Sequence, residues 1–395
     1  MSHGISNSTY LAPTSANPVG LNIRRAKGIY IFDLQEKRYI DLISGISVNN
    51  LGHQNPEIIN AIDKQVHEYL HVMAYGEYFQ GPQLELAKRL SELLPDTLNC
   101  TYFVNSGSEA VEGALKLARR YTGKSRILTM RNAYHGSTFG AMSVMGSDKY
   151  TEAFAPLVPN IELMEINSEA DLKKIDDDTA CVIIEPVQGE AGAIPADQDY
   201  LEKLSDACAH HRCLLIFDEV QTGMGRTGSL FCFENYGVIP DVLVLAKAFG
   251  GGMPLGAFTS SEEIMSSLTT NPVLGHITTF GGHPVSCAAG LAYLNELLRQ
   301  NTIEKIAEKE ALFRKRLVHN DIKGISGKGL LLALHFKSHG FAQAVIKNCL
   351  DNGLLTDWFL FAENCLRISP PLIITGQEIH ESCDIILKSI DEVQS

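Results

Sequence analysis

Five short apolar runs dominate the hydrophobic pattern in the middle of the chain. Four of the five runs end on a polar, small or charged residue, and segments with helical spacing separate several of them. Alternation of this kind predicts an α/β fold with a mostly parallel sheet and helices on both faces. In chain order, the runs are TYFVN, RILTM, CVIIE, LLIFD and VLVLA.

The residues before these runs predict a small β unit and two helices. Residues 1–20 are polar and favour an extended arm, and the alternating runs GIYIFD and RYIDL predict a β-meander that turns between Asp33 and Lys37. Asn55–Pro56 suits a helix start because proline is tolerated in the first helical turn. A second helix is expected over 82–94.

The pattern changes near residue 284, which predicts a domain boundary. The elements expected beyond it are helices over 286–298 and 303–317, a strand over 330–336, a helix over 341–350, a strand over 366–368 and a closing helix. The closing helix opens with a capping box formed by Thr375 and Glu378. We therefore predict a large domain over 51–284 and a smaller α/β domain over 285–395, with 1–50 packing against the smaller one.

Composition and charge restrict the class of protein. The chain has 395 residues, 45% of them apolar and 20% charged, which suits a large and a smaller globular domain. A net charge of −13 argues against nucleic-acid binding. Nine scattered cysteines without a CxxC pair favour a reduced, cytoplasmic protein without a metal site. No signal peptide or membrane helix is expected.

An acid and a lysine follow two neighbouring apolar runs. Asp218 ends LLIFD, and Lys247 lies just past VLVLA. Ligands of an open parallel sheet bind outside the carboxyl ends of its strands, where these side chains should converge. A lysine can hold pyridoxal phosphate as a Schiff base, and an acid can keep the pyridine nitrogen protonated. Asp218 could alternatively cap a helix, whereas Lys247 is hard to explain as a solvated charge.

A turn of small residues over 105–108 follows the first apolar run. Backbone N–H groups at the helix start that follows could bind a phosphate, with help from the hydroxyls of Ser106 and Ser108. The turn matches neither a Walker loop nor the GxGxxG fingerprint of dinucleotide binding. Taken alone, it is better explained as a helix capped by Ser106 and Glu109.

Several further polar or aromatic residues follow predicted strands, and each has an ordinary alternative. Tyr134 could stack on a cofactor ring or be a core aromatic, and His135 could be a structural histidine. Glu190 could be a solvated loop charge, and Arg367 a surface arginine or a clamp for a substrate carboxylate. The other candidates are Glu185, at the end of CVIIE, Gln221, near Asp218, and Thr278 with Thr279, in a loop able to donate to an anion.

Seven segments together resemble the class III aminotransferases, the pyridoxal-phosphate family that includes acetylornithine, ornithine and 4-aminobutyrate aminotransferases. They cover most of the chain in family order. The segments are NSGSEAVEGALKLAR, NAYHGST, EPVQGEAG, FDEVQTGMGRTG, LAKAFGGGMPLGA, TTFGGHP and LRISPP. The resemblance implies fold type I and pyridoxal 5′-phosphate as cofactor.

The resemblance also implies residue roles. Gly107 and Ser108 would hold the cofactor phosphate, Tyr134 would stack on the ring, and Asp218 would pair with the pyridine nitrogen. Other cofactor contacts would come from Glu185, Gln221, Lys247 and, across a homodimer, Thr279 of the neighbouring subunit. Arg367 would take the carboxylate of a 2-oxo acid, and Glu190 would pair with that arginine when no acid is bound.

The sequence departs from the family at the position of the donor site. Relatives carry an arginine that grips the far carboxylate of the donor, and Ser137 stands at that position here. A hydroxyl cannot replace a bidentate arginine. Ile46 stands where ornithine enzymes tend to have tyrosine. The identity of the donor therefore stays open.

The expected function is transfer of an amino group, preferably an ω-amino group, from an amino acid or amine to a 2-oxo acid such as 2-oxoglutarate. Three alternatives stay open. They are another pyridoxal-phosphate enzyme on the same fold (an aminomutase, racemase or decarboxylase), a binding protein without turnover, and a nicotinamide-dependent dehydrogenase. The missing GxGxxG motif argues against the dehydrogenase.

Overall fold

The computed structural model describes residues 10–12, 14–15, 18–74 and 76–394. Residues 1–9, 13 and 16–17 of the predicted N-terminal arm lie outside the described residues. Within the described ranges, no helix is long and apolar enough to cross a membrane.

A seven-stranded sheet forms the centre of the molecule, and all five predicted runs are strands of it. Gly256–Ser260 runs antiparallel to both of its neighbours, and the other paired strands are parallel. In spatial order the strands are Cys100–Val104, Gly256–Ser260, Val242–Leu245, Leu214–Asp218, Thr179–Ile184, Arg126–Met130 and Ile161–Met164. The hydrophobic pattern does not predict Gly256–Ser260 or Ile161–Met164. GAFTS mixes small and polar residues, so its complete burial leaves no apolar run to detect.

The central strands are buried on both faces, as the apolar runs predict. In Leu214–Asp218 every residue is buried. Leu215 and Phe217 join one core cluster, whereas Leu214 and Ile216 join the other. This alternation follows from the two-residue period of a strand, and it fixes which strand ends point into the crevice above the sheet.

In the described part of the chain, eight helices of more than ten residues surround the sheets. Asn55 caps the first by accepting from the N–H of Glu57, and Thr375 and Glu378 form the predicted reciprocal capping box of the last. The long helices are Pro56–Glu68, Gly81–Leu93, Gly107–Thr122, Gln198–His210, Pro284–Arg299, Ile306–Arg316, His339–Asp351 and Gly376–Gln394. Short helices span Ser44–Ser47, Phe139–Ser143, Asp148–Thr151 and Glu262–Ser266, and 3-10 turns span Glu152–Phe154, Glu169–Lys174, Cys232–Asn235, Lys247–Gly250, Ser267–Thr269 and Ile303–Lys305.

The described residues also form three smaller sheets. The predicted meander is confirmed, and its last strand pairs in parallel with Leu354–Leu355, which joins the two ends of the chain. The four-stranded sheet contains Ile23–Lys27, Tyr30–Asp33, Arg38–Asp41 and Leu354–Leu355. An antiparallel sheet contains Gly324–Lys328, Leu331–His335 and Cys365–Ile368, and a hairpin pairs Val187–Gln188 with Ile194–Pro195.

The turn Ser44–Ser47 is left-handed at every residue. The φ angles are +47° at Ser44, +63° at Gly45, +59° at Ile46 and +62° at Ser47. Left-handed backbone costs a non-glycine residue roughly 1–2 kcal/mol. Hydrogen bonds offset this cost, since Ser44 Oγ donates to the Ser369 carbonyl at 2.7 Å and Ser47 Oγ lies 2.8 Å from Ser369 Oγ.

Arg226 is fully buried and connects this turn to the rest of the fold. Its guanidinium donates to the carbonyls of Leu330 and Pro370 at 2.8 and 2.6 Å, and to Ser44 Oγ at 3.2 Å. Burial lowers the pKa of Arg226 to about 9. One side chain therefore fixes the Ser44–Ser47 turn relative to two later segments.

Candidate active site

Two adjoining cavities lie where the predicted site residues converge. The first has a volume of about 430 Å³, the second about 370 Å³, and Tyr134 and Lys247 line both. The first cavity is also lined by Gly107, Ser108, Glu185, Asp218 and Gln221, all candidates from the sequence. The second is also lined by the candidates Ile46, Glu190 and Arg367. The strand-end pattern thus predicted most of both walls.

The turn over 105–108 is both a helix cap and a cavity wall. Ser106 Oγ accepts from the N–H of Glu109 at 3.2 Å, as predicted. The Glu109 carboxylate accepts from the Asn105 N–H at 2.7 Å instead of from Ser106, so the box is shifted by one residue. The N-terminus of a 16-residue helix faces the first cavity and favours an anion there.

Gly136 brings the following segment against Ser108. Its φ is +125°, and a Cβ at this position would collide with Ser108 Oγ. The N–H of Ser137 donates to the same oxygen at 3.3 Å. Only glycine allows this close approach, which sets the position of the Ser108 hydroxyl in the cavity wall.

Asp218 is buried at the end of its strand and has two donors. Its Oδ2 lies 2.7 Å from His135 Nδ1, and its Oδ1 accepts from the Val220 N–H at 3.0 Å. Burial alone would lower the pKa of His135, but the hydrogen bond and charge of Asp218 raise it overall. His135 is thus part of the site and not a separate structural histidine.

Glu185 supports the loop that carries Tyr134. Its carboxylate accepts from the N–H groups of Tyr134 and Gly189, each at 3.1 Å. Burial raises the pKa of Glu185 to about 7, and the charge of His135 opposes that shift. The carboxylate therefore holds two loops together at the floor of the first cavity.

Lys247 follows its strand with a left-handed backbone, at φ +51°. Burial lowers the pKa of its amine, and the negative charges of Glu190 and Asp218 only partly oppose this. Since the side chain lines both cavities, its amine lies between the Asp218 side and the Arg367 side. A lysine with a lowered pKa at such a position suits nucleophilic and proton-transfer chemistry.

Arg367 lies in the second cavity between two acids. Its Nη2 donates to Glu190 Oε1 and Oε2 at 2.9 and 3.0 Å, and its Nε donates to Asp357 Oδ1 at 2.7 Å. Asp357 and its neighbours Trp358 and Leu360 also line this cavity and were not predicted from the sequence. Asp357 follows the strand Leu354–Leu355, as Asp218 ends its own strand, but a two-residue strand leaves no hydrophobic signal.

Three candidates do not line either cavity. Thr278 Oγ1 accepts from Asn105 Nδ2 at 3.0 Å, and Asn105 lines the first cavity. Thr279 is exposed. Ser137 is exposed as well, and its Oγ lies 3.2 Å from the Tyr134 hydroxyl.

The residues of the first cavity fit pyridoxal phosphate. The helix start at Gly107 and the Ser108 hydroxyl suit a phosphate, and the buried Asp218 carboxylate suits a cationic ring nitrogen. Within the described ranges, Gln221 Nε2 is buried without a hydrogen-bond partner, which leaves a donor for a ligand oxygen. Lys247 supplies the amine.

Comparison with known proteins agrees with this site. The family model described as aminotransferase class-III matches residues 10–390. Acetylornithine aminotransferase of Methanocaldococcus jannaschii is 40% identical over 379 residues, which cover 93% of this chain and 92% of that protein. The solved structure of an amine transaminase from an uncultivated Pseudomonas species in its PLP-bound form has a TM-score of 0.91 at 27% identity, covering 98% of this chain and 99% of that one. An ornithine aminotransferase structure from Toxoplasma gondii has a TM-score of 0.90 at 28% identity, covering 98% and 93%. The chain therefore belongs to the class-III aminotransferases and is a pyridoxal-phosphate-dependent transaminase of fold type I.

Proposed function

We propose that this transaminase moves an ω-amino group from an amino acid or amine to a 2-oxo acid such as 2-oxoglutarate. The observation that carries the proposal is that Lys247 lines both cavities. Its amine can therefore serve a cofactor held beside Asp218 and a substrate held beside Arg367. Relatives named acetylornithine and ornithine aminotransferase support a donor with an ω-amino group.

The roles proposed for the first cavity follow from its charges. When bound, pyridoxal phosphate supplies an electron sink for the bond broken at the amino-bearing carbon. Gly107 and Ser108 would bind its phosphate, Asp218 would pair with the ring nitrogen, and Tyr134 would pack on the ring. Lys247 Nζ would move the proton of the amino-bearing carbon, because burial lowers the pKa of its amine and so favours the neutral form.

Glu185 and Gln221 complete the proposed cofactor contacts. Glu185 acts by holding the Tyr134 segment, to whose N–H it is bonded at 3.1 Å. Gln221 is close to Glu185 across Gly189, where its amide lies in the same wall. Its unpartnered Nε2 is available to the phenolic oxygen of the cofactor.

Two substrates share the second cavity in turn. Arg367 binds the carboxylate of the oxo acid once Glu190 leaves it, and Glu190 covers Arg367 while the donor is bound. Bidentate arginine–carboxylate pairing makes this exchange favourable, because one carboxylate replaces another. Lys247 and Arg367 are the two cationic residues among the described residues that line this cavity.

The far end of the donor meets no arginine in this proposal. At the family's arginine position, the Ser137 hydroxyl lies 3.2 Å from the Tyr134 hydroxyl, and the Ser137 N–H donates to the Ser108 hydroxyl at 3.3 Å. Ile46, Trp358 and Leu360 line the second cavity with apolar surface. We therefore propose a donor whose far end is uncharged or is held through apolar contact. Thr278 would support this site indirectly, through its hydrogen bond with Asn105.

A homodimer in a cytoplasmic, reducing environment completes the proposal. Thr279 is exposed beside Phe280 and Ile277, which are 53% and 49% exposed, so the loop presents apolar surface to a second copy. Thr279 would then reach the cofactor phosphate of that copy. All nine cysteines are free, which supports a reducing compartment.

The division into 1–50, 51–284 and 285–395 also remains a proposal. Pairing of Leu354–Leu355 with Arg38–Asp41 supports packing of the first segment with the last. The helix Pro284–Arg299 packs on Pro56–Glu68 and Gly81–Leu93, so it joins the large unit to the small one.

Absorption spectroscopy of the purified protein tests the proposed function. A band near roughly 420 nm that moves toward about 330 nm when single ω-amines are added without oxo acid would report transfer of the amino group to the cofactor. Addition of 2-oxoglutarate should restore the band, which separates transamination from racemase, mutase and decarboxylase activity. In Lys247→Ala, this spectral conversion should be far slower than in the wild type. Wild-type turnover in that variant, or conversion without use of an oxo acid, would overturn the proposal.

A further inference from the structure

Two of the three guanidinium nitrogens of Arg367 donate hydrogen bonds to neighbouring residues. Asp357 accepts from Nε at 2.7 Å, while Glu190 and the carbonyl of Trp358 accept from Nη2 at 2.9 and 3.1 Å. The ring of Phe359 lies 4.2 Å from the guanidinium carbon. Nη1 is buried and has no partner among the described residues. Only the edge that contains Nη1 can therefore accept a new ligand without displacing Asp357.

The two acids occupy different positions on the guanidinium. A carboxylate pairs with arginine most strongly through two parallel N–H···O bonds on one edge. Departure of Glu190 would free one N–H of Nη2, while the Trp358 carbonyl keeps the other, and Nη2 with Nη1 forms such an edge. Asp357 holds Nε and stays outside that edge. Its carboxylate is 24% exposed and partly open to the second cavity, whereas Arg367 is only 2% exposed.

We propose that Asp357 is a positioning residue, which holds Nε of Arg367 so that the Nη1–Nη2 edge meets the carboxylate of the 2-oxo acid. This inference rests on the proposed function of Arg367. Asp357 also keeps Nε of the buried guanidinium hydrogen-bonded while Glu190 and the substrate carboxylate exchange. Without it, the buried Nε–H would have no acceptor during that exchange, which is costly.

Trp358 provides a direct probe of this cavity. It is the only tryptophan of the chain. Its side chain is 40% exposed and lines the second cavity, and its carbonyl accepts from Arg367. Intrinsic fluorescence therefore reports ligand binding beside Arg367 without any turnover.

Two substitutions separate the hydrogen bond of Asp357 from its charge. Asp357→Asn keeps an oxygen that can accept from Nε, whereas Asp357→Ala removes the acceptor. Asp206→Ala, on the exposed face of the helix Gln198–His210, is the matched control. Glutarate, which carries both carboxylates of 2-oxoglutarate but lacks its keto group, is titrated into each holoenzyme while Trp358 fluorescence is recorded. The saturation constant for 2-oxoglutarate is then measured in the half-reaction that consumes it.

We expect Asp357→Ala to weaken glutarate binding and raise the 2-oxoglutarate constant by about tenfold or more, since a charge-assisted hydrogen bond is lost. Asp357→Asn should change both by about threefold or less, and Asp206→Ala should change neither. The half-reaction with a carboxylate-free amine should stay within about threefold in every variant, because it does not use Arg367.

Unchanged 2-oxoglutarate and glutarate constants in Asp357→Ala would overturn the inference, as would equal losses in Asp357→Ala and Asp357→Asn. An equal loss in the half-reaction with the carboxylate-free amine would assign Asp357 a general structural role instead. Failure of the wild-type protein to convert any amine would refute the proposed function itself, and that result is distinct from these.

Discussion

His135 Nδ1 lies 2.7 Å from Asp218 Oδ2, and both side chains are almost completely buried. Val220 donates to the other carboxylate oxygen at 3.0 Å. Asp218 is therefore held in one orientation by a donor from a different strand end. A buried carboxylate needs such donors because its desolvation is otherwise uncompensated.

Removal of this donor should weaken cofactor binding. We expect His135→Ala to raise the cofactor dissociation constant about tenfold or more, since an unsatisfied buried group costs about 1–3 kcal/mol. His135→Asn keeps an N–H donor and should lose less. Spectrophotometric titration of cofactor-free protein measures both constants. Equal losses in the two variants would contradict the role of the hydrogen bond.

Gly136→Ala should also weaken cofactor binding, by about tenfold or more, because a Cβ would collide with Ser108 Oγ and φ is +125°. Gly340→Ala is the matched control, since a Cβ there meets no atom within 4 Å. That helical substitution should leave cofactor binding unchanged and stabilise the protein by about 0.5–1 kcal/mol. The same titration, together with urea unfolding, distinguishes the two. Similar behaviour of both variants would be the adverse result.

Ser137→Arg should strengthen the binding of amino donors that carry a carboxylate at their far end. Ser137 is exposed, so a long side chain can be accommodated, and a charge-assisted pair is worth about 1.5–3 kcal/mol. We expect KM for acetylornithine to fall about 10- to 100-fold, with little change for an amine that has no carboxylate. Ser137→Gln serves as the uncharged control. If Gln and Arg act alike, charge is not the missing feature.

Glu219 should make the stability of the protein depend on pH. Its buried carboxylate accepts from the N–H groups of Cys232 and Phe233, and burial raises its pKa to about 8. The pKa of Glu219 is higher in the folded state, about 8, than its ordinary value of 4.5. This difference stabilises the folded state fully below pH 4.5, and the stabilisation is lost as the pH rises through 8. Relative to Glu219→Gln, the wild type should lose about 2 kcal/mol of unfolding free energy between about pH 6 and 8. Urea unfolding at several pH values measures this, and parallel curves would refute it.

A dimer that shares its sites should allow complementation. Lys247→Ala and Thr279→Ala each damage a different part of the site, so a mixed dimer contains one intact site. Refolding the two variants together should recover about a quarter of wild-type activity, whereas either alone stays lower. Analytical ultracentrifugation checks the oligomeric state. No recovery in a verified mixed dimer would exclude the trans role of Thr279.

The sequence alone determined five of the seven strands of the central sheet and the residues at their ends. The run that ends at Asp218 and the run before Lys247 are buried on both faces, so their apolar composition identifies them without a partner. Parallel pairing then brings their carboxyl ends together. The cofactor follows from that geometry, because an acid and a lysine at one crevice suit few other ligands.

Only the tertiary structure decided which residues touch. Asp357 contacts Arg367, and His135 contacts Asp218. No helical or strand periodicity in the sequence predicts either pair. The left-handed turn that carries Ile46 depends on distant partners such as Ser369, and the strand Gly256–Ser260 depends on burial between two neighbours. Local patterns report the burial of an element, whereas pairing across the fold is set by packing between elements. That is why the sequence predicted the cofactor site and left the substrate site incomplete.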